Sequence, residues 1–178
     1  MYNFEEIKQE LRKVITPDTV FVCIGSSRFK FDTFGPLCGT MLKKKGVPYY
    51  GDMRKPVNGV NMYQRLYEIY DIDQHLNENI IAIDACVTSY NDKLNKIDFR
   101  PFSGIEPAKG VGGQFPTIGE KSIVMYTLTK DQLNRMLRYS LKDLSNRQLI
   151  KRQANLITNV IAEIYHDVCN NTEVKCNG

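Results

Sequence analysis

The stretch Val20 to Leu42, VFVCIGSSRFKFDTFGPLCGTML, admits few folds. Its apolar run Val20–Ile24 stops at Gly25 and gives way to a polar, basic loop, after which Asp32-Thr-Phe-Gly-Pro36 leads into a second apolar segment with helical spacing. The order is strand, loop, helix. Pro36 falls where the first turn of a helix tolerates it, since its missing N–H would find no partner there and its φ is already helical. Asp32 therefore lies ahead of a helix N-terminus and at the C-terminal end of a buried strand, which in open α/β sheets is where ligands bind. The same position also suits an N-cap.

A second acid repeats the arrangement. Asn79-Ile-Ile-Ala-Ile-Asp84-Ala-Cys86 reads as another apolar strand ending in a carboxylate followed by small residues. Two strands of one parallel sheet that each end in Asp aim both carboxylates at the same edge, which points to chemistry rather than capping. Two carboxyls held close together cannot both ionise readily, so one pKa rises and the pair shares a proton. Such a pair activates water and protonates a leaving amine. Asp32, near the positive end of a helix, is expected to ionise more readily and act as the base, with Asp84 the acid.

The acids come with further motifs: Gly25-Ser-Ser-Arg28, Asp32-Thr-Phe-Gly-Pro36, Pro56-Val-Asn-Gly-Val-Asn61, the strand ending Ile83-Asp84-Ala-Cys86, and Gly110-Val-Gly-Gly113 running on to Ile123. Over Thr19 to Thr127 this order resembles the YyaC-type sporulation proteins, relatives of the spore germination protease and, more distantly, of the hydrogenase maturation endopeptidases. The resemblance implies a three-layer α/β/α sandwich with a mainly parallel sheet. Through the germination protease branch it implies a catalytic pair at Asp32 and Asp84 and hydrolysis of a peptide bond in a small protein substrate. The chain departs from the pattern at Ser27, where such sequences carry Asp, and at Phe31, where they carry Gly.

Arg28, at a motif position shared with the resembling sequences, is a candidate for holding a substrate carbonyl or orienting Asp32. Ser103 to Lys121 is the longest stretch without periodicity and holds five glycines and two prolines. Loops of this length are usually functional or mobile. Backbone N–H groups at Gly110, Gly112 and Gly113 are candidates for contact with a peptide. No Lys-Ser or Lys-Thr follows, so this is not a phosphate loop. By analogy with the protease relatives it is expected to form the second wall of a peptide cleft and to move most at Gly110 to Gly113.

Strands alternating with helices predict right-handed crossovers. Helices are expected over Phe4 to Val14 and from about Val60 to Tyr70, with Val60, Tyr63, Leu66, Tyr67 and Tyr70 on one face. Val47–Tyr50, Lys96–Phe102 and Ser122–Leu128 read as strands. Thr129 is expected to cap a short helix ending near Tyr139. A long last helix opens with a capping box at Ser145 to Gln148 and carries an apolar stripe to Val168.

At 178 residues, one domain over 1–169 is expected, followed by a polar, disordered tail at 170–178. No apolar run approaches the ~18 residues of a membrane span, and the N-terminus lacks the basic and apolar regions of a signal peptide. Five cysteines without a C-x-x-C spacing argue against a zinc knuckle or a disulfide framework. A reducing, cytoplasmic compartment follows, and the sporulation resemblance adds the forespore. Cys38 is a weak candidate nucleophile, because neither His75 nor His166 lies in a matching motif. The net charge of +4 is spread along the chain. Arg135, Arg138, Lys142, Arg147, Lys151 and Arg152 form a basic face without the aromatic platform of a nucleic-acid binder. The expected partner is a protein or peptide substrate, with no nucleic acid, membrane or cofactor, and the oligomeric state is left open.

Two other readings stay open. The hydrogenase maturation relatives bind a metal with two acids and a His, whereas here Glu106 would have to supply the third ligand. Alternatively, Phe29, Phe31 and Phe34 fill the space a substrate needs, and the chain is a sporulation-associated binding or regulatory protein that keeps the fold without the reaction.

Overall fold

The apolar runs form the middle of a five-stranded sheet in a computed structural model that describes residues 2–108 and 113–176. The strands are β1 (Val20–Cys23), β2 (Tyr49–Tyr50), β3 (Ile80–Thr88), β4 (Ile97–Arg100) and β5 (Lys121–Thr129), in the order β2-β1-β3-β5-β4. All pairings are parallel except β4 with β5. β1 is buried throughout and β5 at every position after Lys121. Burial on both faces is what a central parallel strand requires, and it explains why these segments are apolar runs rather than alternations.

Helices α1 (Phe4–Val14), α2 (Phe34–Lys44) and α5 (Arg147–Cys176) cover one face, and α3 (Met62–Tyr67) covers part of the other. The result is a three-layer α/β/α sandwich. The first core joins Ile7 and Leu11 of α1, Phe34, Cys38 and Leu42 of α2, and Ile150, Ile157 and Ile161 of α5 to Phe21, Ile81, Ile83, Ile123 and Met125 of the sheet. The second joins Met62, Leu66 and Ile69 to Val22, Ile80, Ala82 and Val124, with Val57, Ile105 and Ile118 supplied by loops. α4 (Lys130–Tyr139) is capped by Thr129, as expected, and buries none of its residues.

Several boundaries differ from the sequence reading. β3 does not stop at Asp84, because β5 is equally long and pairs with it through Thr88. The face expected on α3 is split: Leu66 is buried, whereas Val60 is 95% exposed, Tyr63 65% and Tyr67 58%. Val57 is drawn into a bridge with Ile24, and the Asn61 amide donates to Pro56 O at 2.8 Å while its oxygen accepts from Asn58 N–H at 3.0 Å. That loop delays the helix to Met62, and a π-type turn over Glu68–Ile72 changes the register again. Asn146, not Ser145, caps α5, accepting from Leu149 N–H at 3.1 Å. α5 then runs to Cys176, so residues 170–176 are helical rather than a disordered tail.

Candidate functional site

Gly25 sets the geometry at the carboxyl end of β1. Its φ of +139° is one that L side chains rarely adopt, and an added Cβ would lie 2.3 Å from Asp32 O. The loop closes back on itself there, with Ser26 N–H donating to Asp32 O at 3.0 Å. Asp32 ends a short 3-10 turn, Lys30–Asp32, that packs over β3, β5 and α5. α2 begins two residues later, and Gly35 lets it sit on the strand ends: an added Cβ would lie 2.0 Å from Ile24 O and 2.7 Å from Ile83 O. Pro36 occupies the first turn of α2, where its missing N–H costs nothing.

Asp84 stands on β3 just beyond the last β1 pair, Cys23 with Ile83. It alternates with Ala82 and Cys86 and so faces the second core. Both acids are half-buried. Burial pushes the Asp32 carboxyl up to about 7, partly offset by the Ser26 N–H. The Asp84 pKa is raised well above the ordinary value by burial and then by the charge of Asp32; its own hydrogen bond from Ala85 N–H at 2.7 Å and the nearby Arg100 oppose this only in part. The two carboxyls therefore repel when both are charged, which favours a state in which one of them keeps its proton.

The other expected site residues divide. Arg28 has an exposed side chain in the loop before the 3-10 turn, and its backbone N–H donates to Ser26 Oγ at 3.1 Å. Gly110 and Gly112 lie outside the described residues. The N–H of Gly113 already donates to Ala108 O at 3.0 Å, and an added Cβ would meet the Ala108 Cβ at 2.7 Å. This glycine closes its loop. The loop itself is better anchored than its composition suggests, since Ile105 and Ile118 are buried and bridge one another. Gln114 and Phe115 meet Tyr63 of α3, through a 3.3 Å hydrogen bond and a 5.4 Å ring contact. That places this wall over the second core, on the Asp84 face of the sheet.

The alternatives fare unevenly. Cys38 is fully buried in the first core and burial raises its pKa, so it is no nucleophile. Phe34 is likewise a core residue with no exposure, leaving only Phe29 and Phe31, stacked at 5.7 Å, beside the acid pair. Glu106 lines a 670 Å³ groove with Asn77, Gly119 and Lys121, at the amino ends of β3 and β5 and away from Asp32 and Asp84. Neither His joins the acids: His75 packs on Tyr50, and His166 bonds Lys45 O at 2.8 Å. Among the described residues, no three His, Cys, Asp or Glu side chains form a metal-ligand cluster. A second groove of 660 Å³ runs along β4 and is lined by Asp98, Arg100 and Phe102. Neither groove is lined by Asp32 or Asp84.

Sequence reasoning missed two parts of the site. Asp143, from the α4–α5 connection, holds the acid-bearing turn by accepting from Phe31 N–H at 3.0 Å while its other oxygen accepts from Ser145 N–H at 2.9 Å. No local pattern could reveal a partner so far along the chain. Arg100 and Tyr126, which reach toward Asp84 and Cys86 across the sheet, are the other part. The alternation of Asp98 and Arg100 with buried Ile97 and Phe99 was a visible signal for it.

Among known proteins, "Uncharacterized protein YyaC" of Bacillus subtilis (strain 168) is 32% identical over 122 residues, covering 66% of this chain and 57% of that protein. The chain thus matches little more than half of that relative's length. No described helix is long and apolar enough to cross a membrane. The family described as "Protein of unknown function (DUF1256)" matches residues 2–159, nearly the whole sandwich with its paired acids, and the chain belongs to that family of YyaC-type proteins.

Proposed function

We propose that the chain is a peptide hydrolase of the sporulating cell's cytoplasm, related in mechanism to the spore germination protease. The carrying observation is the pair of half-buried aspartates over the carboxyl end of the parallel strands, Asp32 pushed up to about 7 and Asp84 raised well above the ordinary carboxyl value by burial and the Asp32 charge. In this reading Asp32, ahead of the α2 N-terminus, is the base and Asp84 the acid. Asp32 takes the proton of an attacking water, Asp84 protonates the leaving amine, and their roles reverse to restore the pair. The proton passed between them is one the pair shares.

The test is cleavage of small spore-type proteins by the full chain, compared with Asp32→Asn and Asp84→Asn variants of unchanged thermal stability or better. Loss of cleavage in both variants supports the reading, as does a rate that rises through about pH 7 and falls at higher pH. Cleavage that survives both substitutions, or none by the unmodified chain, overturns it. A binding or regulatory role is the second reading, favoured by grooves that follow β4 and the amino ends of β3 and β5 rather than the acids. It predicts substrate capture without cleavage.

A further inference from the structure

α4 leaves the carboxyl end of β5 as a ridge. It buries none of its residues, and Ser140, in the left-handed region at a φ of 49°, turns the chain off its end. Leu133 and Met136 are half-buried, whereas Leu137 and Tyr139 of the last turn are more than half exposed, as is Leu144 in the connection to α5, with Leu141 not far below. That connection is tied to the acid-bearing loop, because Asp143 accepts from Phe31 N–H at 3.0 Å and Phe31 stacks at 5.7 Å on the exposed Phe29 ring. Two segments far apart in the sequence thus bring exposed apolar side chains to one corner of the molecule.

Cations gather at the same corner. Residues 28–31 and 130–146 hold six, Arg28, Lys30, Lys130, Arg135, Arg138 and Lys142, against two acids, Asp131 and Asp143. Both oxygens of Asp143 are taken up by hydrogen bonds, and Asp131 lies in the first turn of α4, at the far end from Arg138. Among the described residues none of the six cations forms an ion pair, and Arg138 keeps Cζ 5.7 Å from the centre of the Tyr139 ring. Single exposed apolar residues are ordinary, but several together, rimmed by charge of one sign, mark a surface that meets a partner.

Shape and charge together select that partner. A nucleic acid would use the cations but leave the leucines in water, since strands are held by phosphate contacts and aromatic platforms. A helix or strand of another protein needs a groove or a free strand edge, and neither groove of the molecule reaches α4. A lipid surface accepts a ridge: aliphatic side chains enter the acyl boundary, aromatic rings stay at headgroup level, and long Lys and Arg stems keep their charges among the lipid phosphates. We propose that this corner docks on an anionic lipid surface, with Leu137, Leu141, Leu144 and Phe29 dipping into it and Lys30, Arg138 and Lys142 meeting headgroup phosphates. The expectation of no membrane partner concerned spanning segments, and lying on a membrane needs none. Asp143 joins the docked corner to the Asp32 turn, so the carboxyl end of the sheet faces the membrane. The contact stands whether or not Asp32 and Asp84 hydrolyse peptides.

The test is co-sedimentation of the full chain with vesicles of phosphatidylcholine alone and of equal parts phosphatidylcholine and phosphatidylglycerol. The chain is expected to bind the mixed vesicles, to leave the neutral ones in solution, and to bind several-fold less as salt is raised. Lys30→Gln, Arg138→Gln and Lys142→Gln together should weaken binding about tenfold or more. Leu137→Ser with Leu144→Ser, which leaves the charge unchanged, should weaken it several-fold, and because these side chains are exposed the thermal midpoint should not move. The chain has no tryptophan, so Leu141→Trp supplies a direct probe whose emission should shift to shorter wavelength with mixed vesicles only. No binding, equal binding to both vesicles, or leucine variants that bind as the parent does would overturn the proposal. Capture of duplex DNA with no capture of vesicles would assign the corner to nucleic acid instead, and a dimer in solution that the leucine variants dissolve would assign it to a second copy of the chain.

Discussion

The two faces of the sheet are held by different means. On one, α1, α2 and α5 bring a continuous apolar layer to Phe21, Ile81, Ile83, Ile123 and Met125, and even Cys23 and Cys38 serve as small core residues. On the other, one helix of two turns covers the lower strands with help from loop residues Val57, Ile105 and Ile118. Above them the sheet shows Asp84, Cys86, Tyr126, Asp98 and Arg100. The difference teaches where this fold spends stability and where it keeps chemistry: the helical face buries a continuous apolar layer, and the thinly covered face carries Asp84 and the charges around it.

Core truncation should show the contrast most strongly. Leu42→Ala, fully buried under α5, is expected to cost about 2–5 kcal/mol in denaturant unfolding, and Leu66→Ala, on the thin face with 7% exposure, to fall at or below the low end of that range. A larger loss at Leu66 would break the comparison.

The acid face should instead gain from substitution. Both aspartates have folded pKa values above the ordinary 3.8, so what they contribute to stability is fully present below about pH 4 and is lost as pH rises through about 7 and beyond. Asp84→Asn should therefore stabilise the chain by roughly 1–3 kcal/mol at neutral pH, with the gain vanishing near pH 4. Unfolding midpoints measured across that range decide it, and destabilisation at pH 7 would mean that the Asp84 carboxylate is held by partners rather than strained by burial.

How much of this was legible follows the same division. The strand–loop–helix of Val20–Leu42 and the apolar stripe of α5 could be read because each element repeats its own period against a single partner layer. The α3 face could not: Val60, Tyr63 and Tyr67 have helical spacing, but the bridge from Val57 to Ile24 and the asparagine-held loop fix where the helix begins, and these are tertiary facts. Asp32 and Asp84 were legible as strand-associated acids next to small residues. The alternation that puts Asp98 and Arg100 on one face of β4 was legible, but which residues Arg100 meets depends on β4 running antiparallel beside β5, which a segment of four residues cannot announce.

Smaller effects sharpen the picture. Asp143→Ala removes the side-chain acceptor of Phe31 N–H and should cost about 1 kcal/mol, with faster amide exchange at Phe31 as the local readout. Unchanged exchange would show that the acid-bearing turn holds itself. Tyr63→Ser, on an exposed side chain, should change stability by no more than about 0.5 kcal/mol.

The central claim, that Asp32 and Asp84 act as one proton-sharing pair, is tested most directly by following their side-chain carboxyl carbons by NMR as a function of pH. Asp32 should titrate at about 7 and Asp84 well above the ordinary carboxyl range. In Asp84→Asn, Asp32 should stay near 7, because burial rather than the Asp84 charge raises it. In Asp32→Asn, Asp84 should fall, because the charge that repels it is gone. Two independent titrations near pH 4, each indifferent to the other substitution, would contradict the pair and the mechanism built on it.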